Sequence, residues 1–223
     1  FARKEMRRDR ELLRQTLQYG GITALQQACQ PVGNLFIQGA VNTMGVDIMA
    51  AFNVVTKIDD YALVPERNIS NAMTTFIAQN VGAGEKKRMK QILSVCTGLI
   101  FGILMVGTAL FLLLPEPIMG MFSKDSVTIR EGAAALRIIS LGFVVSGISV
   151  VASGALEALG EGIPSFIISL LRYLVLIVPV ASIGSRIFGI TGVWGAFPVA
   201  EVLTAAVSAG IFTARYRACL KRL

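Results

Sequence analysis

From Gln91 to Leu114, and again from Ile138 to Leu156, the chain carries no charged residue. Runs of this length reach the roughly 20 residues that take a helix across the hydrocarbon core of a bilayer. Over the whole chain of 223 residues, 54% are apolar and 16% charged, with a mean hydropathy of +0.66. An ordinary soluble domain carries about 25% charged residues, so this chain has too little charge to cover a water-facing surface. That excludes a soluble globular enzyme, a disordered tail and a secreted disulfide domain. The sequence predicts an all-α integral membrane protein.

Further classes of chemistry fall on composition. There is no histidine, which removes His-metal sites, Ser-His-Asp triads and Cys-His pairs. With no nucleophile motif either, the chain does not read as an enzyme, and no cofactor is expected. Cys29, Cys96 and Cys219 lie far apart, form no CxxC pair and read as small packing residues. The net charge of +7 comes without a basic patch interleaved with aromatics, so no nucleic-acid partner is expected. The first 14 residues hold six basic and three acidic groups, and they lack the apolar core of a signal peptide. Residues 1–13 therefore read as a cytoplasmic connecting segment, interior to a longer polypeptide.

Six spans are expected, at about 12–43, 46–82, 89–114, 129–159, 164–183 and 189–214. They form a bundle over 14–214, followed by a basic cytoplasmic tail at 215–223. The first span is polar: Gln26, Gln30, Asn34 and Gln38 recur every four residues, which makes one slowly winding stripe on a helix. The fifth is interrupted by Arg172 and the sixth by Glu201. The second is the difficult one, with Lys57, Asp59, Asp60, Glu66 and Arg67 around Pro65. A charge facing lipid at mid-span costs about 2.5–3.5 kcal/mol on insertion scales, so this segment taken alone resembles a loop.

Charge distribution decides the matter. Of the 21 basic residues, 14 fall in three clusters: the N-terminal stretch, Lys86 to Lys90, and Arg215 to Arg222. The alternate connections hold only Lys124, Arg130 and Arg186. If the second segment crosses, all three clusters share one side, as the positive-inside rule requires. This predicts a multi-pass protein of the plasma (inner) membrane with both ends of the chain cytoplasmic and the lipid bilayer as its surroundings.

A crossing segment must turn its polar groups toward protein or water. Asn53, Lys57, Asp60, Arg67 and Asn71 share one helix face, and Thr56, Asp59, Glu66 and Ser70 share the adjacent one. Lys57 and Asp60 are expected to pair, and Pro65 to kink the helix near mid-membrane. Beside the Gln/Asn stripe, this describes the wall of a polar cavity. Ionisable groups inside a membrane are functional candidates. The candidates for a substrate and ion cavity are Gln30, Asn34, Gln38, Asn53, Lys57, Asp60, Glu66, Arg67, Arg172 and Glu201. A buried charge network that only ties helices together fits the same residues. Arg172 and Glu201 either pair or line the cavity. Gly98 and Gly102 form a GxxxG expected to let helices pack closely, and Gly82 and Gly84 are expected to cap the second helix.

An ordered series of short motifs then resembles a known family. The stretches Gly21 to Gln27 and Gly33-Asn34-Leu35 resemble the first helix of the C-terminal half of multidrug and toxic compound extrusion (MATE) transporters. Ala51-Phe52-Asn53, Lys57-Ile58-Asp59 and Pro65 follow in order, as does Thr75-Phe76-Ile77-Ala78-Gln79-Asn80-Val81-Gly82-Ala83-Gly84. Gly154 to Gly160, Arg172, Pro179 and Gly189 to Trp194 complete the pattern. The resemblance implies one six-helix bundle of a pseudo-twofold, twelve-helix transporter, with the N-terminal six-helix half as partner. It also implies export of small cationic organic compounds in exchange for H⁺ or Na⁺ by alternating access. On the same fold, a flippase or exporter of lipid-linked or anionic cargo is the alternative; a non-transporting membrane assembly module is another. The sodium-driven branch places an acid in the first helix of this half, where Ala28-Cys29-Gln30-Pro31 has none. Its second acid is matched most closely by Glu161, which reads either as a Na⁺ ligand or as a loop residue.

Overall fold

The charge-free runs fold as helices, and so do the two polar segments before them. The computed structural model describes residues 10–222; residues 1–9 of the expected connecting segment lie outside the described residues, as does Leu223. Among the described residues there is no strand. The helices are α1 (Arg10–Val41), α2 (Val46–Gly82), α3 (Lys86–Leu113), α4 (Pro115–Gly120), α5 (Ser126–Ser140), α6 (Phe143–Ala158), α7 (Gly162–Leu170), a π-helical segment (Leu171–Ile177), α8 (Val178–Phe188) and α9 (Ile190–Arg222). At about 1.5 Å rise per residue, α1 with 32 residues and α2 with 37 are both longer than the roughly 30 Å hydrocarbon core.

Grouped by continuity, these make six long helical segments: α1, α2, α3, α5 with α6, α7 through α8, and α9. Four of the six are apolar enough to cross a membrane by composition, counting α5 and α6 as one broken span bent by 53°. The two that are not are α1 and α2, the segments carrying the Gln/Asn stripe and the five central charges. The bend was not foreseen in the expected span 129–159. It falls at Leu141 and Gly142, where a side chain on Gly142 would come within 3.1 Å of the Pro198 backbone and 3.2 Å of the Glu201 side chain. α9 continues helical through Arg222, so the basic tail begins as a prolongation of the last helix.

The turns follow a common design. Gly84 (φ 72°) follows α2, and the Glu85 amide donates back to the Asn80 carbonyl at 2.9 Å. Gly160 (φ 77°) follows α6, and the Glu161 amide donates to the Leu156 carbonyl at 2.9 Å. Both are left-handed glycine caps with a 6→1 bond, and Gly84 fills the role expected for it. By contrast Gly98 and Gly102 meet nothing within 4 Å of an added Cβ, so they mediate no close helix packing within this chain. Their side of α3 is turned away from its neighbours. The close crossings use other glycines: Gly33 of α1 against the Tyr173 backbone carbonyl, and Gly184 of α8 against Gly192 of α9, each at 2.6 Å from an added Cβ.

Packing divides the two polar helices between different neighbours. α1 rests chiefly on α7 and the π-helical segment, and α2 on α3, α5 and α6. The buried stripe of α1 is Cys29, Gly33, Ile37 and Val41, and the polar stripe Gln26, Gln30, Asn34 and Gln38 runs beside it, half-buried. α2 passes through Pro65 as one continuous helix. The core holds Phe52 of α2 stacked on Trp194 of α9 at 5.6 Å and Phe111 against Phe143 at 5.5 Å. What remains between α1 and α2 is a cleft.

Candidate functional site

Two faces of α2 serve two surroundings. Asn53, Lys57 and Asn71 are exposed, with Asp60 and Arg67 half-buried between them. The adjacent face turns inward: Glu66 is 2% exposed and Ser70 is buried. The expected Lys57–Asp60 pair does not form. Asp60 instead pairs with Arg67 at 3.2 Å. Helical side chains lean toward the N-terminus, so Arg67 reaches back along the stripe to Asp60 while Lys57 leans away from it.

The polar stripe of α1 meets these groups across the cleft. The Gln30 side-chain amide donates to Asp60 at 3.3 Å, and Gln38 donates to Asn53 at 3.5 Å. Asn34 lines the cavity beside them. Farther along, Gln26 donates to Glu157 of α6 at 2.5 Å, and Ser165 of α7 donates to the same carboxylate oxygen at 3.0 Å. Two amides of the stripe, Gln26 and Gln30, thus donate to carboxylates on other helices, and Gln38 donates to a carboxamide.

The deepest part of the site lies between the π-helical segment and α9. Arg172 Nε donates to Glu201 Oε1 at 2.8 Å, and its Nη2 lies 2.5 Å from the same oxygen. The two side chains are 12% and 9% exposed. Arg172 and Glu201 pair, and both line a cavity of about 50 Å³ together with Asp59, Asp60, Arg67 and Tyr173. The two alternatives left open by the sequence therefore hold together. A second cavity of about 190 Å³ lies on the other side of Gln30, Arg67, Arg172 and Tyr173, and is walled by Ser149, Ser153, Ser169 and Thr74 among others. Those four shared residues form the partition between the two spaces.

Three buried carboxylate oxygens have no hydrogen-bond partner: Asp59 Oδ1, Glu66 Oε1 and Glu201 Oε2. Asp59 was placed by sequence on the face adjacent to that of Asp60 but was not among the cavity candidates. Spacing separates the two faces without saying which turns into the bundle and which toward α1. Tyr173, Glu157 and the serines of α6 and α7 were also missed as site residues. A signal for Glu157 existed in Ser153 four residues before it, on the same helix face. Glu161 lies at the start of α7 and pairs with Arg215 of α9 at 3.7 Å. Among the described residues no three Asp, Glu or Cys side chains are grouped to hold a metal ion.

The sequence matches the MatE family over residues 23–183. The chain belongs to the MatE family. Among curated relatives it is 29% identical over 182 residues to the FAD transporter of Shewanella oneidensis, covering 81% of this chain and 40% of that protein. It is 25% identical over 185 residues to the multidrug export protein MepA of Staphylococcus saprophyticus, covering 83% and 38%. Among solved structures, a MATE transporter in complex with MaL6 superposes with a TM-score of 0.92 at 21% identity, over 99% of this chain and 50% of that one. A MOP superfamily transporter from Pyrococcus furiosus, described as having a binding pocket of reverse polarity, gives 0.91 at 21%, over 98% and 50%. The chain spans about two fifths of the curated relatives it matches and half of the solved transporters. Its fold is that of one six-helix half of a MatE transporter, a multi-pass membrane protein.

Proposed function

We propose that the chain is the C-terminal half of a secondary active exporter that moves small cationic, amphipathic compounds out of the cell in exchange for H⁺ or Na⁺. The observation that carries this reading is the charge balance of the cleft. Asp59 and Glu66 lie among Asp60, Glu201, Arg67 and Arg172, so this part of the wall sets four carboxylates against two guanidiniums and attracts cations. The polar sides of α1 and α2 lie where an N-terminal half would complete the cavity, and rocking of the two halves about it would give alternating access. Binding of the coupling cation on one side would shift the population between the two states. Gln30, Asn34, Gln38, Asn53 and Lys57 would contact cargo, and the Arg172–Glu201 pair would hold the back of the site. The absence of an acid at Ala28 to Pro31 and the engagement of Glu161 by Arg215 support H⁺ over Na⁺.

A second reading has its own support. Arg67 and Arg172 line both cavities, and one relative is named an FAD transporter. Guanidinium groups match phosphate oxygens in two-point contacts, so an anionic dinucleotide is the alternative cargo. Cells lacking their own exporters and expressing the full transporter separate the readings. Under H⁺ and Na⁺ gradients imposed separately, ethidium efflux supports the first, and FAD efflux without ethidium efflux supports the second. Efflux of neither removes both.

A further inference from the structure

We infer that the bundle holds an anionic phospholipid on its lipid-facing side, with an acyl chain in an apolar groove between α3 and α9 and the phosphate between Lys90 and Arg217. The inference needs only that the bundle lies in a bilayer, so it is independent of the cargo.

The groove follows from the two faces of α6. Ser149, Ser153 and Glu157 wall the larger polar cavity on the side of α1 and α2. Ile148, Val151 and Ala152 lie on the opposite face of the same helix and floor a separate groove of about 280 Å³. α3 and α9 each pack on α6 and supply the walls, with Leu93, Thr97 and Phe101 at one-turn spacing on α3 and Phe212 beside Thr213 on α9. The groove thus faces away from the cleft that an N-terminal half would complete. Its two threonine hydroxyls turn back on their own helices: Thr97 donates to the Leu93 carbonyl at 2.6 Å and Thr213 to the Ala209 carbonyl at 2.7 Å. Hydrocarbon fits such a lining, and a polar ligand would lose its hydrogen bonds to water there without replacement. From Leu93 to Phe101 the groove runs about 12 Å along α3, most of the roughly 15 Å of hydrocarbon in one leaflet.

The mouth of the groove is cationic. Lys90 stands three residues before Leu93 and seven before Thr97, on the groove face of α3, and Arg217 stands four after Thr213 on α9. Both are exposed, and neither forms an ion pair among the described residues. Arg215 is instead held by Glu161 at 3.7 Å. Glu85 lies farther out at the N-cap of α3, against four cations in the next five residues. Tyr216 stacks on Phe212 at 5.0 Å, between the groove and Arg217, which puts a tyrosine at the depth where such residues meet headgroups. Helical side chains lean toward the N-terminus, which carries the Arg217 guanidinium back over the groove. A phosphate seated there would accept two N–H bonds from Arg217 and lie in the field of the Lys90 ammonium. Both residues belong to the end of the bundle that carries the basic clusters, so in the proposed topology the lipid comes from the cytoplasmic leaflet.

Native mass spectrometry of the purified full transporter, washed in detergent and titrated with dioleoyl phosphatidylglycerol or dioleoyl phosphatidylcholine, tests this. Wild type should bind phosphatidylglycerol more tightly than phosphatidylcholine by on the order of tenfold. Lys90→Gln with Arg217→Gln, both at exposed positions, should remove that preference. Ala209→Phe, or Thr213→Phe from an exposed position, should fill the groove and release the lipid with the charges intact. Lys87→Gln with Arg88→Gln, on other faces of α3, should change neither result. Equal binding of the two lipids by wild type overturns the inference. So does a preference that survives the Lys90 and Arg217 changes, or tight binding that survives both groove variants, since the lipid would then be held elsewhere. A preference lost equally with Lys87 and Arg88 reduces the effect to the general basic fringe. A lipid-free mass of two transporters gives the groove to a second copy. Either of these results also ends the assignment.

Discussion

A charged side chain inside a membrane bundle persists only where its partner is held in place, and Arg172 and Glu201 meet that condition from different helices. Both guanidinium contacts land on Glu201 Oε1, so removing either residue strands the other in a buried site. Loss of one partner of a buried pair typically costs about 3–5 kcal/mol, while replacing both with apolar residues of similar size is close to neutral. Arg172→Met and Glu201→Gln should each lower the melting temperature markedly, and Arg172→Met with Glu201→Leu should recover most of the loss. Melting curves in detergent check this, and wild-type melting in all three variants would show that the pair contributes nothing. At this scale the sequence was partly legible. Arg172 and Glu201 stood out because they interrupt apolar runs, where charge is costly and so conspicuous, whereas Asp59 did not stand out in the charged centre of α2. Their pairing did not: Asp60 chose Arg67 over Lys57 because of side-chain lean, a property of the helix rather than of spacing alone.

The element that positions Arg172 is the π-helical segment Leu171–Ile177. An α-helix closes its bonds over four residues, and a π turn over five, so one extra residue is accommodated locally. Pro179, just beyond the segment, has no amide hydrogen to donate to Val175 inside it, which favours a departure from α geometry here. Deleting Leu174 should restore α periodicity and turn the helix on one side by roughly 100° relative to the other. Arg172 would then lose Glu201. Transport should be abolished, with the melting temperature falling to that of Arg172→Met, while a variant deleting one residue near Ser185 should keep the pair. Transport retained after the Leu174 deletion would mean that the register of this segment does not matter. None of this was visible beforehand. The expected span 164–183 took the segment as ordinary helix, because hydropathy has no signal for a one-residue change of register. The bend at Leu141–Gly142 escaped for a related reason: its cause is the close approach of α9 to Gly142, a contact between distant parts of the chain.

For the whole molecule, the alternating positions of the turns place the N-terminal part of α1, the α6–α7 turn and the end of α9 together. An added Cβ on Gly162 would lie 3.5 Å from Ile22, and Glu161 pairs with Arg215. The α1–α2 turn lies at the opposite end, with Val127 and Glu131 of α5 beside Gly45 to Ile48. This arrangement supports the proposed topology, in which the basic clusters are cytoplasmic. A cysteine at Lys87, in a transporter whose own cysteines are replaced, should resist impermeant thiol reagents applied to intact cells and react after lysis. Ready labelling of intact cells would contradict it. The helical architecture at this scale was the most legible, since long charge-free runs are read directly as membrane-crossing helices.

The central claim is that this six-helix half, joined to its N-terminal counterpart, forms a cation-coupled exporter. Its most direct test is transport by the purified full transporter in proteoliposomes, with a proton gradient as the only driving force. Ethidium should accumulate against its own gradient, and collapse of the proton gradient should stop it. Ethidium movement that ignores the proton gradient would contradict the proposed function.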